Sequence, residues 1–177
     1  SLRNDIIIRG GSPTQLLWRL DGLDIPNPNH FGTQGATGGP VGAINTQLLS
    51  NSDFLTGAFP SEYGDKMSGV FDLWTRKGND ERYEFLGQLS YNGAEVGVEG
   101  PLGFLPGSFI LNYRYSFLGL FTSLGMDLGI VGVPKYQDAM LKLNLVAGEK
   151  DQVYVTGLYG TDNIFMQRDN RSDVRTG

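Results

Sequence analysis

The sequence predicts a mainly β protein built from two unlike parts, and three observations support this. Glycine is abundant, at 26 of 177 residues, and Tyr and Phe are frequent while Lys, Glu and Ala are sparse; this balance favours strands and turns. The N-terminal part consists of short apolar runs broken by Gly, Pro and Asn. From Tyr83 onward, apolar and polar residues alternate with a period of two, as in strands with two different faces.

The composition also narrows the classes of function. The formal net charge is −5 without a long basic run, so nucleic acid is not an expected partner. Cysteine is absent, which excludes disulfides, cysteine-zinc sites and cysteine nucleophiles. No run of about 18 apolar residues occurs, so no transmembrane helix is predicted. No signal peptide opens the chain and both ends read as interior sequence, so we expect a piece of a longer polypeptide.

Short apolar runs in the N-terminal part are expected to form short strands. Ile6–Ile8 is a β-branched run that ends at Arg-Gly-Gly, and Leu16–Leu20 is a second run that ends in a tight Asp-Gly turn. Val41–Leu49 fits either a short helix or a strand. Val70–Thr75 is a further strand, and the stretch around it, Ser61–Gly78, is where one type of structure gives way to the other.

A long loop lies between these strands. Pro26–Asn29 contains two prolines and two asparagines, which prevent a helix or a central strand. Four more glycines and Pro40 continue the loop from Thr33 to Gly42. A loop of this length in a compact domain is usually either functional or disordered.

Five strands of about nine residues follow, a length that suits a tilted strand crossing a membrane. Asn92-Gly93 is a strong hairpin signal, residues 101–107 and 148–151 are short turns, and 117–135 is a longer loop, an alternation typical of outer-membrane barrels. Taking the first strand as rising from the periplasm, Asn92-Gly93 and 117–135 face outside. The residues predicted to share one apolar face are Phe85, Gly87, Leu89, Tyr91, Ala94, Val96, Val98, Phe109, Leu111, Tyr113, Tyr115, Ala139, Leu141, Leu143, Leu145, Val153, Val155, Gly157 and Tyr159.

The same alternation also describes a soluble β-sandwich with one wet face. Four tyrosines near strand ends, Tyr91, Tyr113, Tyr115 and Tyr159, fit the aromatic girdle of a membrane barrel better. Five strands cannot close a barrel, and half a barrel would expose an apolar face and two unpaired edges. On the barrel interpretation, further strands are expected beyond Gly177.

Several motifs in a fixed order resemble a known family. I-I-I-R-G-G (Ile6–Gly11), L-D-G-L-D-I-P (Leu20–Pro26), S-E-Y-G-D (Ser61–Asp65) and S-G-V-F-D-L-W-T-R-K-G (Ser68–Gly78) resemble the second half of the plug domain of TonB-dependent outer-membrane receptors. V-E-G-P-L (Val98–Leu102), S-F-I-L-N-Y-R-Y-S (Ser108–Ser116) and Y-Q-D-A-M-L-K (Tyr136–Lys142) are similar to the first strands of Bacteroidetes-type receptors, which carry a carboxypeptidase-regulatory-like domain before the plug.

The resemblance implies a fragment in two parts. Residues 1–78 would be the C-terminal half of an α+β plug, and residues 79–177 about the first five strands of an antiparallel transmembrane barrel of about 22 strands. It implies TonB-dependent import of a nutrient, such as a siderophore, a glycan or a peptide, across the outer membrane of a Gram-negative bacterium. The implied partners are TonB, acting through a segment outside this chain, outer-membrane lipid and the nutrient.

The resemblance also implies two sets of site residues. The long loop would face the extracellular vestibule, and its candidate ligand-binding residues are Asn27, Asn29, His30, Phe31 and Gln34. Their amides and flat rings suit polar ligands, and the alternative is that they pack against the barrel wall. Arg9 and Glu62 are the candidate contacts between plug and barrel. The alternative for Arg9 is a solvated side chain at a strand end, and many family members carry a basic or small residue in place of Glu62.

No catalytic, cofactor or metal site is predicted. The sequence holds one histidine, His30, and a lone histidine is a poor metal site. No acid–base pair and no Ser/His/Asp set is recognisable, so an enzyme is not expected. Glu95, Glu99 and Arg114 would line the barrel interior, where they would contact the plug or the substrate or, on the simplest interpretation, face water.

Three hypotheses remain from the sequence. The first is a nutrient importer, with the plug gating the barrel. The second is a soluble β-sandwich module for glycan binding or adhesion. The third keeps the fold but makes the chain a structural part of an outer-membrane complex, with a surface lipoprotein as a lid over the barrel.

Overall fold

A computed structural model describes residues 6–32, 41–57, 59–64, 68–90, 93–117, 124, 132–148 and 150–166. Across this part the protein is mainly β, and its helical content is limited to two single-turn 3-10 helices, Pro13–Gln15 and Thr46–Leu48. The N-terminal strands are β1 (Leu16–Leu20), β2 (Leu23–Ile25), β3 (Asn29–His30), β4 (Val41–Gly42), β5 (Asp53–Leu55) and β6 (Gly69–Leu73). The later strands are β7 (Glu84–Ser90), β8 (Gly93–Pro101), β9 (Gly107–Ser116), β10 (Gly132–Val146) and β11 (Gln152–Met166).

The N-terminal segment, residues 6–78, is organised around a four-stranded sheet in the order β2-β1-β6-β5. Strands β1 and β6 run parallel, with Leu17 opposite Val70, while the outer pairs are antiparallel. Both residues are buried, as expected for apolar strands in the centre of a sheet. A separate antiparallel pair, β3 with β4, is formed by the two ends of the long loop.

The expected strand at Ile6–Ile8 is wrong. The amide of Gly11 donates to the carbonyl of Ile8 at 2.9 Å, and Arg9 and Gly10 both have positive φ, at 50° and 72°. This turn bends the chain back directly after Ile8. A β-branched run favours a strand, but it forms one only when a neighbouring strand pairs with it.

The five predicted strands of the C-terminal part are present as one antiparallel sheet, β7 to β11, in which each strand pairs with its sequence neighbour. Strands β10 and β11 contain 15 residues each, which is longer than the sequence predicted. Their extra residues fall at the end of the hairpin remote from Val146 and Gln152. Strands β7 and β8 pair as predicted, but Ser90 lies opposite Gly93, so Gly93 begins β8 and does not lie in the turn. Tyr91 and Asn92 lie outside the described residues.

The register places the predicted apolar residues on one continuous face. In one row across the sheet, Phe85 pairs with Val98, Val98 with Leu111, Leu111 with Leu141, and Leu141 with Gly157. This face is open: Phe85 is 83% exposed. Soluble monomers rarely expose an apolar surface of this extent.

Over β8, β9 and β10, the polar face of the same sheet is covered by the N-terminal segment. Asn112, Asp138 and Lys142 are all buried there. The sheet is therefore inverted relative to a soluble domain, with its apolar side chains outside and its charges inside. Within the described part of the chain, no helix has the length and apolar character needed to cross a membrane.

The variant Gly107→Ala tests whether the register between β9 and β10 requires a glycine at this position. The φ of Gly107 is +143°, and a Cβ built there would lie 2.0 Å from the carbonyl oxygen of Asn144, so Gly107→Ala forces β9 away from β10. We expect a loss of about 1–3 kcal/mol in the free energy of unfolding, measured by denaturation of the full-length protein. Gly87→Ala is the control, because no atom lies within 4 Å of its Cβ position. Equal stability of the two variants would contradict the register.

Candidate functional site

The candidate functional site is the surface along which the N-terminal segment contacts the polar face of the sheet, here called the polar interface. Its contacts are mainly hydrogen bonds and ion pairs, supplemented by a small apolar group of Leu48, Ile110 and Met140. Three sets of side chains form it.

The first set, the Asp21 cluster, consists of Asp21, Thr75, Lys142 and Thr156. Asp21 occupies the turn after β1 with a φ of 50°, which points its carboxylate at the sheet. Oδ1 accepts from the amide of Thr75 at 2.8 Å and from Nζ of Lys142 at 3.1 Å, and Oδ2 accepts from the hydroxyls of Thr75 at 2.6 Å and Thr156 at 3.1 Å. The two strands β10 and β11 are thus joined to the N-terminal segment through one carboxylate.

Lys142 has all three of its protons occupied in this cluster. Besides Asp21, its ammonium donates to the carbonyl of Thr75 at 2.9 Å and to the hydroxyl of Thr75 at 2.6 Å. The side chain is only 4% exposed, and a buried ammonium is tolerated only when it is paired and hydrogen-bonded. Burial alone would raise the pKa of Asp21, but the bonds from Thr75 and Lys142 outweigh it and leave that pKa lowered.

The second set surrounds Arg76. Its Nη1 donates to both carboxylate oxygens of Glu99, at 2.8 and 2.7 Å, and its Nε donates to the carbonyl of Gln47 at 3.1 Å. One residue later, the carbonyl of Lys77 accepts from the hydroxyl of Ser108 at 2.7 Å. The segment that links the two parts of the chain is therefore bound to β8 and β9 along its length.

Glu95 is engaged in the same way. Oε1 of Glu95 accepts from Nδ2 of Asn112 at 2.9 Å and also from Nδ2 of Asn45. The interpretation that Glu95, Glu99 and Arg114 face water is wrong, because each of them contacts the N-terminal segment directly. Contact with the preceding segment was the alternative interpretation of these residues, but a sheet face alone does not identify the individual partners.

The third set holds the long loop. The imidazole of His30 donates through Nε2 to Oδ1 of Asp138, while Oδ2 of Asp138 accepts from Nε of Arg114 at 2.7 Å. Arg114 also donates through Nη2 to the carbonyl of Gly42. The amide of Phe31 donates to Oδ2 of Asp162 at 2.7 Å.

The loop residues predicted to bind ligand lie in two different settings. Asn27 and Asn29 line a cleft of about 500 Å³ together with His30 and Asp162, and Nδ2 of Asn29 donates to Oδ1 of Asn27 at 2.7 Å. His30 is 5% exposed and is bonded to the sheet. Gln34 lies outside the described residues. Ligand contact by these residues stays a prediction.

The two predicted plug–barrel contacts are placed within the N-terminal segment. The exposed guanidinium of Arg9 lies beside Gly57, and Oε2 of Glu62 lies 3.7 Å from Nη1 of Arg19. Their contact with a barrel stays a prediction. Sequence reasoning missed the contact between Asp21 and Lys142. The available signal was Lys142 itself, which lies in the middle of a predicted strand on its inner face. A lysine in such a place needs a carboxylate as a partner.

Among solved structures, the chain is similar to the siderophore receptor PirA from Acinetobacter baumannii, with a TM-score of 0.59 and 22% sequence identity. The match covers 90% of this chain and 26% of that receptor, so the chain spans about a quarter of its neighbour's length. No family model and no curated protein matches the sequence. The likeness at this identity concerns the fold alone. Among the described residues, no group of three His, Asp or Glu side chains is arranged to hold a metal ion.

Lys142→Met tests the Asp21 cluster. The variant leaves a buried carboxylate without its cation, so we expect a loss of about 3–5 kcal/mol in the free energy of unfolding of the full-length protein. Adding Asp21→Asn to Lys142→Met should recover part of this loss. Lys150→Met is the control, since Lys150 is exposed in a turn of the same sheet; an equal effect of both single variants would contradict the assignment.

The lowered pKa of Asp21 also predicts a dependence on pH. A carboxylate whose pKa is lower in the folded protein stabilises it fully above the ordinary value of 3.8, and this contribution disappears as the pH falls through the folded pKa. We therefore expect the difference in unfolding free energy between the wild type and Asp21→Asn to be constant near neutral pH and to shrink below pH 3.8. A difference that grows on acidification would contradict the direction of the shift.

Proposed function

We propose that the chain is the plug-to-barrel junction of a TonB-dependent importer of the outer membrane. On this proposal residues 1–78 are the C-terminal half of the plug, and residues 79–177 provide about the first five strands of a barrel of about 22. The observation that carries the proposal is the inverted sheet, with an exposed apolar face and a buried polar face.

The exposed face has the chemistry of a surface in contact with lipid. Its apolar residues form continuous rows across the five strands, and neighbouring strands pair along their length, as a bilayer requires of a sheet that crosses it. A soluble sandwich would instead bury this face against a second sheet, so the sandwich hypothesis has no support from the packing.

The buried polar face has the kind of contacts that a movable plug segment needs. The polar interface holds the N-terminal segment in place through bonds that water can replace once the segment moves. In the proposed mechanism, a ligand binds on the side of the long loop, TonB pulls on a segment that precedes this part of the plug, and the polar interface separates to open a path. The proposed role is transport, and no chemical step is assigned to any residue.

The substrate is proposed only by class. The solved neighbour is a siderophore receptor by its title, and the cleft beside Asn27 and Asn29 offers amide groups that suit a polar ligand. We therefore propose a siderophore, a glycan or a peptide as cargo. The motifs that resemble Bacteroidetes-type receptors favour a parent protein with a carboxypeptidase-regulatory-like domain before the plug and, for a glycan or peptide cargo, a surface lipoprotein partner.

Leu111→Arg tests the lipid-facing surface. Leu111 lies at the middle of β9 on the exposed face, where an arginine at the bilayer midplane costs about 2–4 kcal/mol. We expect the full-length variant to be strongly depleted from the outer-membrane fraction of the producing bacterium, with loss of energised uptake of the cargo.

The matched control is Leu105→Arg, which makes the same replacement at an exposed leucine in the turn between β8 and β9. This variant should assemble and import as the wild type does. Recovery of Leu111→Arg at wild-type level, or of the wild-type protein in the soluble fraction, would overturn the membrane proposal. Uptake that persists in a strain without TonB would contradict the proposal that TonB drives the import.

A further inference from the structure

We propose that the N-terminal segment covers an acidic strip of the sheet, and that the path it uncovers selects a cargo with ammonium or guanidinium groups, such as a basic oligopeptide, over an anionic cargo. The strip consists of Glu95, Glu99 and Asp162, called the wall carboxylates below. The inference rests on the proposed function and deepens it, because it narrows the cargo by its charge.

The inner, polar face of the five-stranded sheet carries more negative than positive charge. Successive side chains of a strand point to opposite faces, so the register assigns each charged residue of β7 to β11 to one face. Among the described residues, the inner face holds two cationic side chains, Arg114 and Lys142, and the carboxylates of Glu84, Glu95, Glu99, Asp138 and Asp162.

Two of these carboxylates have a cationic partner that does not belong to the N-terminal segment. Oδ2 of Asp138 accepts from Nε of Arg114 on the neighbouring strand at 2.7 Å. Oε1 of Glu84 accepts at 2.8 Å from Nε of Arg82, which lies just before it in the chain. Both pairs stay neutral when the segment moves away, so they add no net charge to the uncovered path.

The wall carboxylates, in contrast, depend on partners that belong to the N-terminal segment. The contact with Arg76 is the strongest of these, since its Nη1 donates to both carboxylate oxygens of Glu99, at 2.8 and 2.7 Å. Displacement of the segment therefore removes a cation from the strip along with two uncharged donors. The partners that are lost are Arg76 for Glu99, Asn45 for Glu95 and the amide of Phe31 for Asp162.

Lys142 offsets only part of the uncovered negative charge. Its ammonium is bonded to Asp21 and Thr75, which both move with the segment, so it is uncovered together with the wall carboxylates. One ammonium then faces three carboxylates. A narrow path lined mainly by one sign of charge concentrates ions of the opposite sign, and a guanidinium of the cargo can take the place that Arg76 leaves on Glu99.

The wall carboxylates are spread along the direction of the proposed transport. Glu95 lies opposite Arg114 and Arg114 opposite Asp138, in one row across the sheet. Asp162 lies two residues beyond this row, toward the end that faces outside on the proposed function, and Glu99 lies four residues from it toward the other end. Asp162 also lines the cleft of the long loop, so a cargo that enters at the cleft meets a carboxylate first and further ones on its way inward.

The ion selectivity of the opened path tests this inference. The full-length protein is inserted into a planar bilayer, and urea, which solvates peptide and apolar groups, is added on the side of the short turns to loosen the N-terminal segment. The reversal potential in a gradient of potassium chloride then gives the ratio of the potassium permeability to the chloride permeability. We expect potassium to pass about tenfold faster than chloride, and a variant with Glu95→Gln, Glu99→Gln and Asp162→Asn to lose most of this preference.

The same recording tests the class of cargo with two peptide probes. A short polylysine peptide should block the current through the wild type at about a tenfold lower concentration than a polyglutamate peptide of the same length, and the triple variant should not distinguish the two. The control is Asp151→Asn, which removes a carboxylate from an exposed turn beyond the strands and should keep both preferences. If the triple variant is not recovered from the membrane, Asp162→Lys takes its place, because Asp162 is exposed, and it should lower both preferences.

The possible results separate this inference from the proposed function. A chloride-selective current, equal permeability ratios in the wild type and the variant, or equal block by the two peptides would overturn the selection by charge and leave the importer standing. A full-length protein that passes no ions after the segment is loosened would overturn the importer, and the inference with it.

Discussion

The structure depends on one constraint, which is that a charge taken out of water must meet a partner. The five-stranded sheet turns its polar face inward, so Asp138, Lys142 and Glu99 are buried and each must be paired by a group from another strand or from the N-terminal segment. The fold of the N-terminal segment follows from this need: its turn at Asp21, its exit at Arg76 and its long loop are each placed where they complete an ion pair or a hydrogen bond. The hydrophobic effect organises mainly the small sheet of the segment itself.

An interface of this kind differs from a hydrophobic core in how it can be undone. Separating apolar surfaces exposes them to water at a cost proportional to their area, whereas polar groups exchange protein partners for water with a small net change. The apolar contact between Leu48, Ile110 and Met140 is the exception. On the proposed function, an interface of this kind would hold the segment in a defined position and still allow it to be displaced.

The individual strands and loops could be predicted from the sequence, but most of the residues that they contact in the folded protein could not. Alternation with a period of two identified β7 to β11 and the face of nearly every residue, because side chains of a strand must point to opposite sides. The run Ile6–Ile8 misled the prediction because its strand propensity is overruled by the turn at Arg9. The parallel pairing of β1 with β6, and the bond between Asp21 and Lys142 across 121 positions, depend on tertiary packing that no local pattern encodes. For residues 26–32 of the loop, Pro and Asn predicted that no helix or central strand forms, but they could not reveal the short pair of β3 with β4 or the burial of His30 by the sheet.

The parallel pairing of β1 and β6 has a mechanical meaning. Strand β6 continues into Thr75 and Arg76, which are fixed to the sheet, while β1 is entered from the N-terminal side of the chain. A tension applied along the chain from that side draws β1 and β6 past each other in opposite directions, so all the hydrogen bonds between them share the strain at the same time. The outer pair of β1 with β2 runs antiparallel and is joined by a tight turn, so it can be peeled apart one bond after another. The parallel pair of β1 and β6 at the centre of the small sheet therefore resists a pulling force, whereas the antiparallel pair of β1 and β2 at its edge separates more easily.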